Sequence, residues 1–333
     1  MAQGSQTPRR PRYWLITAPR TASNLLVQIL NLDEQGVRPA HLGGYFFLLS
    51  GMTRFRLNRR SPDNWTDEER SELDGLIQQS CDAFLDHIEA AEKDGQTLYV
   101  KEHANLLNSP FYESQHVYGT QEGEQKPRLF MTEGIQNPSR SPLNLTVLPD
   151  EFLQTWNPTF LIRHPAMVLP SLYRTCQTDA EVEDFGRPNK WPMPAEVTMK
   201  WNRTLYDFYA AYFDESSIWP IVLDADDVMT SPELVSKYAQ LAGLDHTKVR
   251  YSWGQCSEEK VNKMHPLEQK MLTSVITSTK VDQSKIAAGI DIDQEVIKWK
   301  SEFGEEGAQR LEQWVRDAMP HYNYMHSKRM RLE

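Results

Sequence analysis

The chain has 333 residues, 39% of them hydrophobic and nine of them tryptophan, which suits one large α/β domain or two small ones, with a substantial core. Its formal net charge of −10 argues against nucleic acid or an anionic membrane as the main partner. Cys81, Cys176 and Cys256 are far apart and odd in number, with no visible disulfide framework or metal-ligand spacing, and no apolar run reaches spanning length, so a reducing, cytoplasmic setting is expected.

Residues 1–12 are polar and basic and read as a flexible leader to a domain over 13–325. Tyr13-Trp14-Leu15-Ile16 is a short apolar run that breaks at Pro19 and passes through Arg20-Thr21-Ala22-Ser23-Asn24. The spacing of Leu25, Leu26, Ile29 and Leu30 then suits one face of a helix. A buried strand, a tight turn and a helix N-terminus in that order form an anion cradle, because free backbone N–H groups and the positive helix end face the turn. Arg20 adds a fixed charge to it, and Thr21 and Ser23 add hydroxyls. Residues 36–65 are mixed. The aromatic cluster at Tyr45-Phe46-Phe47 could be core or pocket wall, and Arg54, Arg56, Arg59 and Arg60 read as a solvated face.

A helix starts at Thr66, where Glu69 three residues on completes a capping box, and Asp94-Gly95 ends it. Thr97 to Lys101 reads as a buried strand. Residues 104–150 are rich in Asn, Ser, Pro, Gly and Gln, and a loop of that length is expected to act as a lid or substrate loop. Pro158 to Arg163 is the next strand, and Pro165 opens a helix through Cys176. Residues 177–194 read as loop, and Pro194 opens an aromatic helix with Val197, Trp201, Leu205, Phe208, Tyr209 and Tyr212 on one stripe. Ile218 to Leu223 is a strand. Asp224-Ala225-Asp226-Asp227 reads as its end and a lead into a helix cap rather than as metal ligands. Alternation of strands and helices predicts a central, mostly parallel sheet flanked by helices.

Three separated segments resemble the sulfotransferases that use 3′-phosphoadenosine 5′-phosphosulfate (PAPS). Ala18-Pro19-Arg20-Thr21-Ala22-Ser23-Asn24 resembles that family's 5′-phosphosulfate loop, with Arg20 at the basic position. Arg163-His164-Pro165, with Ser171 eight residues after the arginine, is similar to its 3′-phosphate element. Lys101-Glu102-His103 at a strand end is similar to its Lys-x-His, in which the histidine is the base. Alternation along a strand puts Lys101 and His103 on one side. Ala22 stands where the family has Gly and Asn24 where it has Ser or Thr, while Ala288-Gly289 and Trp299-Lys300 faintly echo its C-terminal element.

The resemblance implies a P-loop NTPase-like sulfotransferase fold and transfer of a sulfuryl group from PAPS to a hydroxyl or phenol of a small molecule. In that reading His103, Lys101 and Arg20 are catalytic. Arg20, Thr21, Ala22, Ser23, Asn24, Arg163 and Ser171 hold the co-substrate, and no metal is expected. Each residue also has a plainer reading: Arg20 as a surface ion-pair residue, Lys101 as a strand-edge charge, His103 as a structural histidine, Ser171 as an ordinary helix serine. The alternative function, motivated by Ala22 and Asn24, is a metabolite-binding protein or metal-free acid–base enzyme that has lost sulfate transfer. A nucleoside-triphosphate enzyme is disfavoured because the loop lacks Gly-Lys-(Ser/Thr). No oligomeric state is legible.

Overall fold

The computed structural model describes residues 10–119, 127–178, 190–264, 269, 272–273 and 275–332. Residues 1–9 of the expected leader, 120–126 of the long segment after β2, and 179–189 of the loop read over 177–194 lie outside the described residues. Strands β1 (Arg12–Thr17), β2 (Leu98–His103), β3 (Asn157–Ile162) and β4 (Ile221–Asp224) form one sheet in the order β2-β1-β3-β4, every neighbouring pair parallel. Both faces of the sheet are covered, which is why its strands read as nearly continuous apolar runs. Trp14 and Ile16 of β1 belong to one core with Val100, Phe160 and Ile162. Leu15, between them, belongs to the opposite core with Tyr99, Leu161 and Leu223.

The described helices are α1 (Ser23–Leu30), α2 (Leu48–Leu57), α3 (Asp67–Asp94), α4 (Pro110–Tyr118), α5 (Asp150–Leu153), α6 (Pro165–Cys176), α7 (Lys200–Tyr212), α8 (Ala225–Thr230), α9 (Pro232–Leu241), α10 (Glu258–Lys263) and α11 (Ile292–Ser327), the last broken at Gly304. The capping box of α3 forms as the sequence predicts. The Glu69 N–H donates to Thr66 Oγ1 at 3.2 Å, and the Thr66 N–H to Glu69 Oε2 at 2.9 Å.

Four elements depart from the sequence reading, the first being α4, which lies within the 104–150 segment read as loop. Helix α2 occupies part of the mixed 36–65 region, and one of its basic residues, Arg54, is 1% exposed rather than solvated. Its guanidinium donates to Glu113 Oε2 at 2.8 Å and to the carbonyls of Asn105, Leu106 and Asn108, so its charge and most of its donors are satisfied inside. The aromatic helix starts at Lys200, because Pro194–Glu196 closes a separate single turn and Thr198 Oγ1 accepts from the Lys200 N–H at 3.1 Å. A short extra helix, α8, follows β4 directly, capped by Asp224 Oδ1 at 2.8 Å from the Asp226 N–H.

The sheet order sets the site. β1 lies between β2 and β3, so the chain leaves its carboxyl end with neighbours on both sides, the place where open α/β sheets hold ligands. The 18–24 loop leaves β1 there, His103 ends β2, and Arg163 follows β3.

Candidate active site

The loop after β1 is tightly wound. Arg20 and Ala22 both take left-handed backbone conformations, with φ of 67° and 66°. Thr21 is 2% exposed, and its hydroxyl donates to the Ala18 carbonyl at 2.7 Å, so it staples the loop from inside rather than facing the cavity. The Leu26 N–H closes the first turn of α1 on the Ala22 carbonyl at 3.1 Å, which leaves the preceding amides of α1 at the loop without intrahelical acceptors.

Arg20, Ala22, Ser23, Asn24, His103, Arg163 and Ser171 line one cavity of about 460 Å³. Arg20 Nε donates to Ser171 Oγ at 2.9 Å, and Arg163 Nη1 donates to the Arg20 carbonyl at 3.2 Å. The two phosphate elements suggested by the sequence are therefore adjacent and hydrogen-bonded to each other. Arg163 Nη2 also donates to the Lys285 carbonyl at 2.8 Å, which draws a C-terminal segment over the site. The Ala287 N–H donates to Asp226 Oδ2 at 2.7 Å and fixes the same segment a second time.

Lys101 stands behind the cavity wall, 4% exposed. Its ammonium donates to Asn24 Oδ1 and lies 4.2 Å from the centroid of the Tyr45 ring. Asn24 thus gives Lys101 an acceptor in the loop. The His103 ring is 4.6 Å from that of Tyr45, and its Nδ1 is 2.5 Å from Thr17 Oγ1. Burial first, then the nearby charges of Lys101 and Arg20, holds the His103 pKa well below 6.5, so the imidazole is neutral at pH 7. Glu102 points to the other face, 1% exposed, where its carboxylate accepts from the N–H groups of Phe47 at 3.1 Å and His103 at 2.9 Å. Burial pushes its pKa up to about 8.

Several lining residues escaped the sequence reading. Lys280 and Lys285 add two cations and Ser278 a hydroxyl, while Leu48, Phe55, Leu106 and Met167 make an apolar wall. No motif marks these positions. The echo at Trp299-Lys300 does not reach the cavity: Trp299 is 2% exposed in the core, and Lys300 pairs with Glu305 at 3.0 Å. Of the aromatic cluster, Tyr45 reaches the cavity, whereas Phe46 stacks on Phe84 and Phe47 is buried. Thr17, which no motif marks either, pairs in register with His103 at the end of β1. Among the described residues, no helix is long and apolar enough to cross a membrane, and no group of three or more His, Cys, Asp or Glu side chains is placed to hold a metal ion.

No protein-family model matches the chain. It is 38% identical over 342 residues, 99% of each chain, to a protein of Metarhizium majus (strain ARSEF 297) named sulfotransferase ppzF. A protein of the same name from Metarhizium rileyi (strain RCEF 4871) is 38% identical over 341 residues, again 99% of each. Among solved structures, a sulfotransferase domain from the Synechococcus PCC 7002 olefin synthase aligns with 94% of this chain and 96% of its own, at 11% identity and a TM-score of 0.41.

Proposed function

The chain belongs to the sulfotransferase family, and from that premise we propose that it moves a sulfuryl group from PAPS to a hydroxyl or phenol of a small molecule, with His103 as general base. The observation that carries this reading is the convergence of the 18–24 loop, His103, Arg163 and Ser171 on one cavity from the ends of three different strands.

The residues present fit such a donor. The cavity wall around the loop offers guanidinium groups, lysines, hydroxyls and helix N-terminal amides suited to a polyanion, alongside the carboxylates of Glu196 and of Asp282, the latter 3.4 Å from Lys285 Nζ. Among the described residues, Arg163 Nε is buried without a hydrogen-bond partner beside this wall. When bound, the donor supplies an activated sulfuryl group and leaves as adenosine 3′,5′-bisphosphate. Arg163 and Ser171 hold the 3′-phosphate, with Lys280 and Lys285 adding charge. Arg20, Ser23, Asn24 and the loop amides hold the 5′ end, and Arg20 and Lys101 offset charge that builds up during transfer. His103, neutral and lining the cavity, takes the acceptor proton. The apolar wall favours a small acceptor with an apolar body.

The two departures from the family loop weigh little against transfer. Ala22 takes the left-handed conformation without a glycine, and Asn24 accepts from the Lys101 ammonium. A cytoplasmic setting is part of the proposal and follows from the sparse, unpatterned cysteines.

Calorimetric titration with adenosine 3′,5′-bisphosphate tests the reading. One site of micromolar affinity is expected, weakened in Arg163→Ala and Ser171→Ala. No heat at millimolar nucleotide would sink it.

A further inference from the structure

We propose that Thr17 is a positioning residue for His103, its hydroxyl fixing the imidazole as the Nδ1–H tautomer and leaving the Nε2 lone pair to accept a proton. The catalytic consequence rests on the proposed role of His103 as base. The claim about the ring itself does not.

Thr17 and His103 are the last residues of β1 and β2 and are directly paired in the parallel register. Parity puts both side chains on the same face of the sheet. Thr17 is fully buried, and its Oγ1 has two neighbours: His103 Nδ1 at 2.5 Å and the Glu102 carbonyl at 3.3 Å. A carbonyl only accepts, and the hydroxyl has one proton to give. If that proton goes to Glu102, the imidazole must donate from Nδ1 to Oγ1, and a chain of two hydrogen bonds results. If it goes to Nδ1, only one bond forms. The two-bond arrangement pairs more buried polar groups and is cooperative.

Neighbouring groups keep the ring in place. The Glu102 carboxyl oxygen accepts from the His103 backbone N–H, and the Tyr45 ring lies against the imidazole. With Nδ1 turned back to β1, Nε2 is the nitrogen left for the cavity. When Nε2 gains a proton, the same chain still serves the imidazolium, because Nδ1–H continues to donate toward a carbonyl dipole. A neutral hydroxyl partner also differs from a carboxylate. It orients the ring without raising its pKa, so the base stays unprotonated beside Lys101 and Arg20.

The test is the ¹⁵N spectrum of the protein with labelled histidine at pH 7, His103 being assigned by its loss in His103→Ala. The expected wild-type result is a protonated Nδ1 and an unprotonated Nε2. In Thr17→Val the two resonances should move toward averaged values, and Thr17→Ser should restore the wild-type pattern. A protonated Nε2 in the wild type would overturn the proposal, as would an unchanged pattern in Thr17→Val. If Thr17→Val does not fold, the wild-type spectrum alone decides. A His103→Ala enzyme that still transfers sulfate at the wild-type rate would remove the base reading while leaving the tautomer result standing, so the two failures are distinct.

Discussion

At the scale of single residues, the loop after β1 combines function with strain. Ala22 has a φ of 66°, where its Cβ crowds the following carbonyl. Ala22→Gly relieves that crowding at some cost in unfolded-chain entropy, and a net gain of about 0.5–1 kcal/mol is expected from denaturant midpoints. A lower midpoint would show that the methyl group packs usefully. His103 carries the chemistry in the proposed reaction. Its replacement by Ala should lower turnover by roughly 10²–10⁴-fold with nucleotide affinity unchanged. Because its pKa is held well below 6.5, the neutral base is fully present at and above that pH and is lost only on further acidification. The acid limb of kcat/KM for the donor, which reports the free enzyme, should therefore lie well below pH 6.5. A limb at 6.5 or higher would mean that another group titrates. Arg20, His103, Arg163 and Ser171 were singled out through their resemblance to the family's motifs, and the structure brings the four to one cavity. Thr17 was not legible, since its partner comes from another strand and local spacing does not record such a pair, while Tyr45 was read as either core or pocket wall because its partner ring lies on another element.

At the scale of elements, the segment after β2 is held by a buried ion pair. Arg54 of α2 and Glu113 of α4 are 1% and 0% exposed, and Asn58 Nδ2 gives Glu113 a further bond at 2.7 Å. The same guanidinium binds the carbonyls of Asn105, Leu106 and Asn108, fixing the chain just after His103, where Asn105 and Leu106 line the cavity. Arg54→Met leaves a buried carboxylate and free carbonyls, and a loss of about 3–5 kcal/mol is expected in urea unfolding. A loss under 1 kcal/mol would show that water or neighbouring groups replace it. This element was illegible for a physical reason: an arginine in a basic stretch reads as solvated unless its carboxylate, 59 residues away, is known. The C-terminal segment has its own anchor at Asp226. Asp226→Ala should weaken adenosine 3′,5′-bisphosphate binding by roughly 3–10-fold, the worth of one hydrogen bond, through a looser Lys285. Unchanged affinity would place Lys285 outside the binding reaction.

For the whole molecule, the parallel sheet was legible because strands buried on both faces alternate with amphipathic helices in the sequence. The strand order was not, because hydropathy does not say which strand pairs with which. That order brings three separate motifs to one sheet edge. The central claim is that this edge binds a nucleotide with two separated phosphates, one end at the loop and the other at Arg163. A crystal structure with adenosine 3′,5′-bisphosphate measures it directly. The account predicts the 3′-phosphate within hydrogen-bonding distance of Arg163 and Ser171, and the 5′-phosphate on the amides of residues 20–24. A nucleotide bound away from the loop, or with its 3′-phosphate out of reach of Arg163, would contradict it.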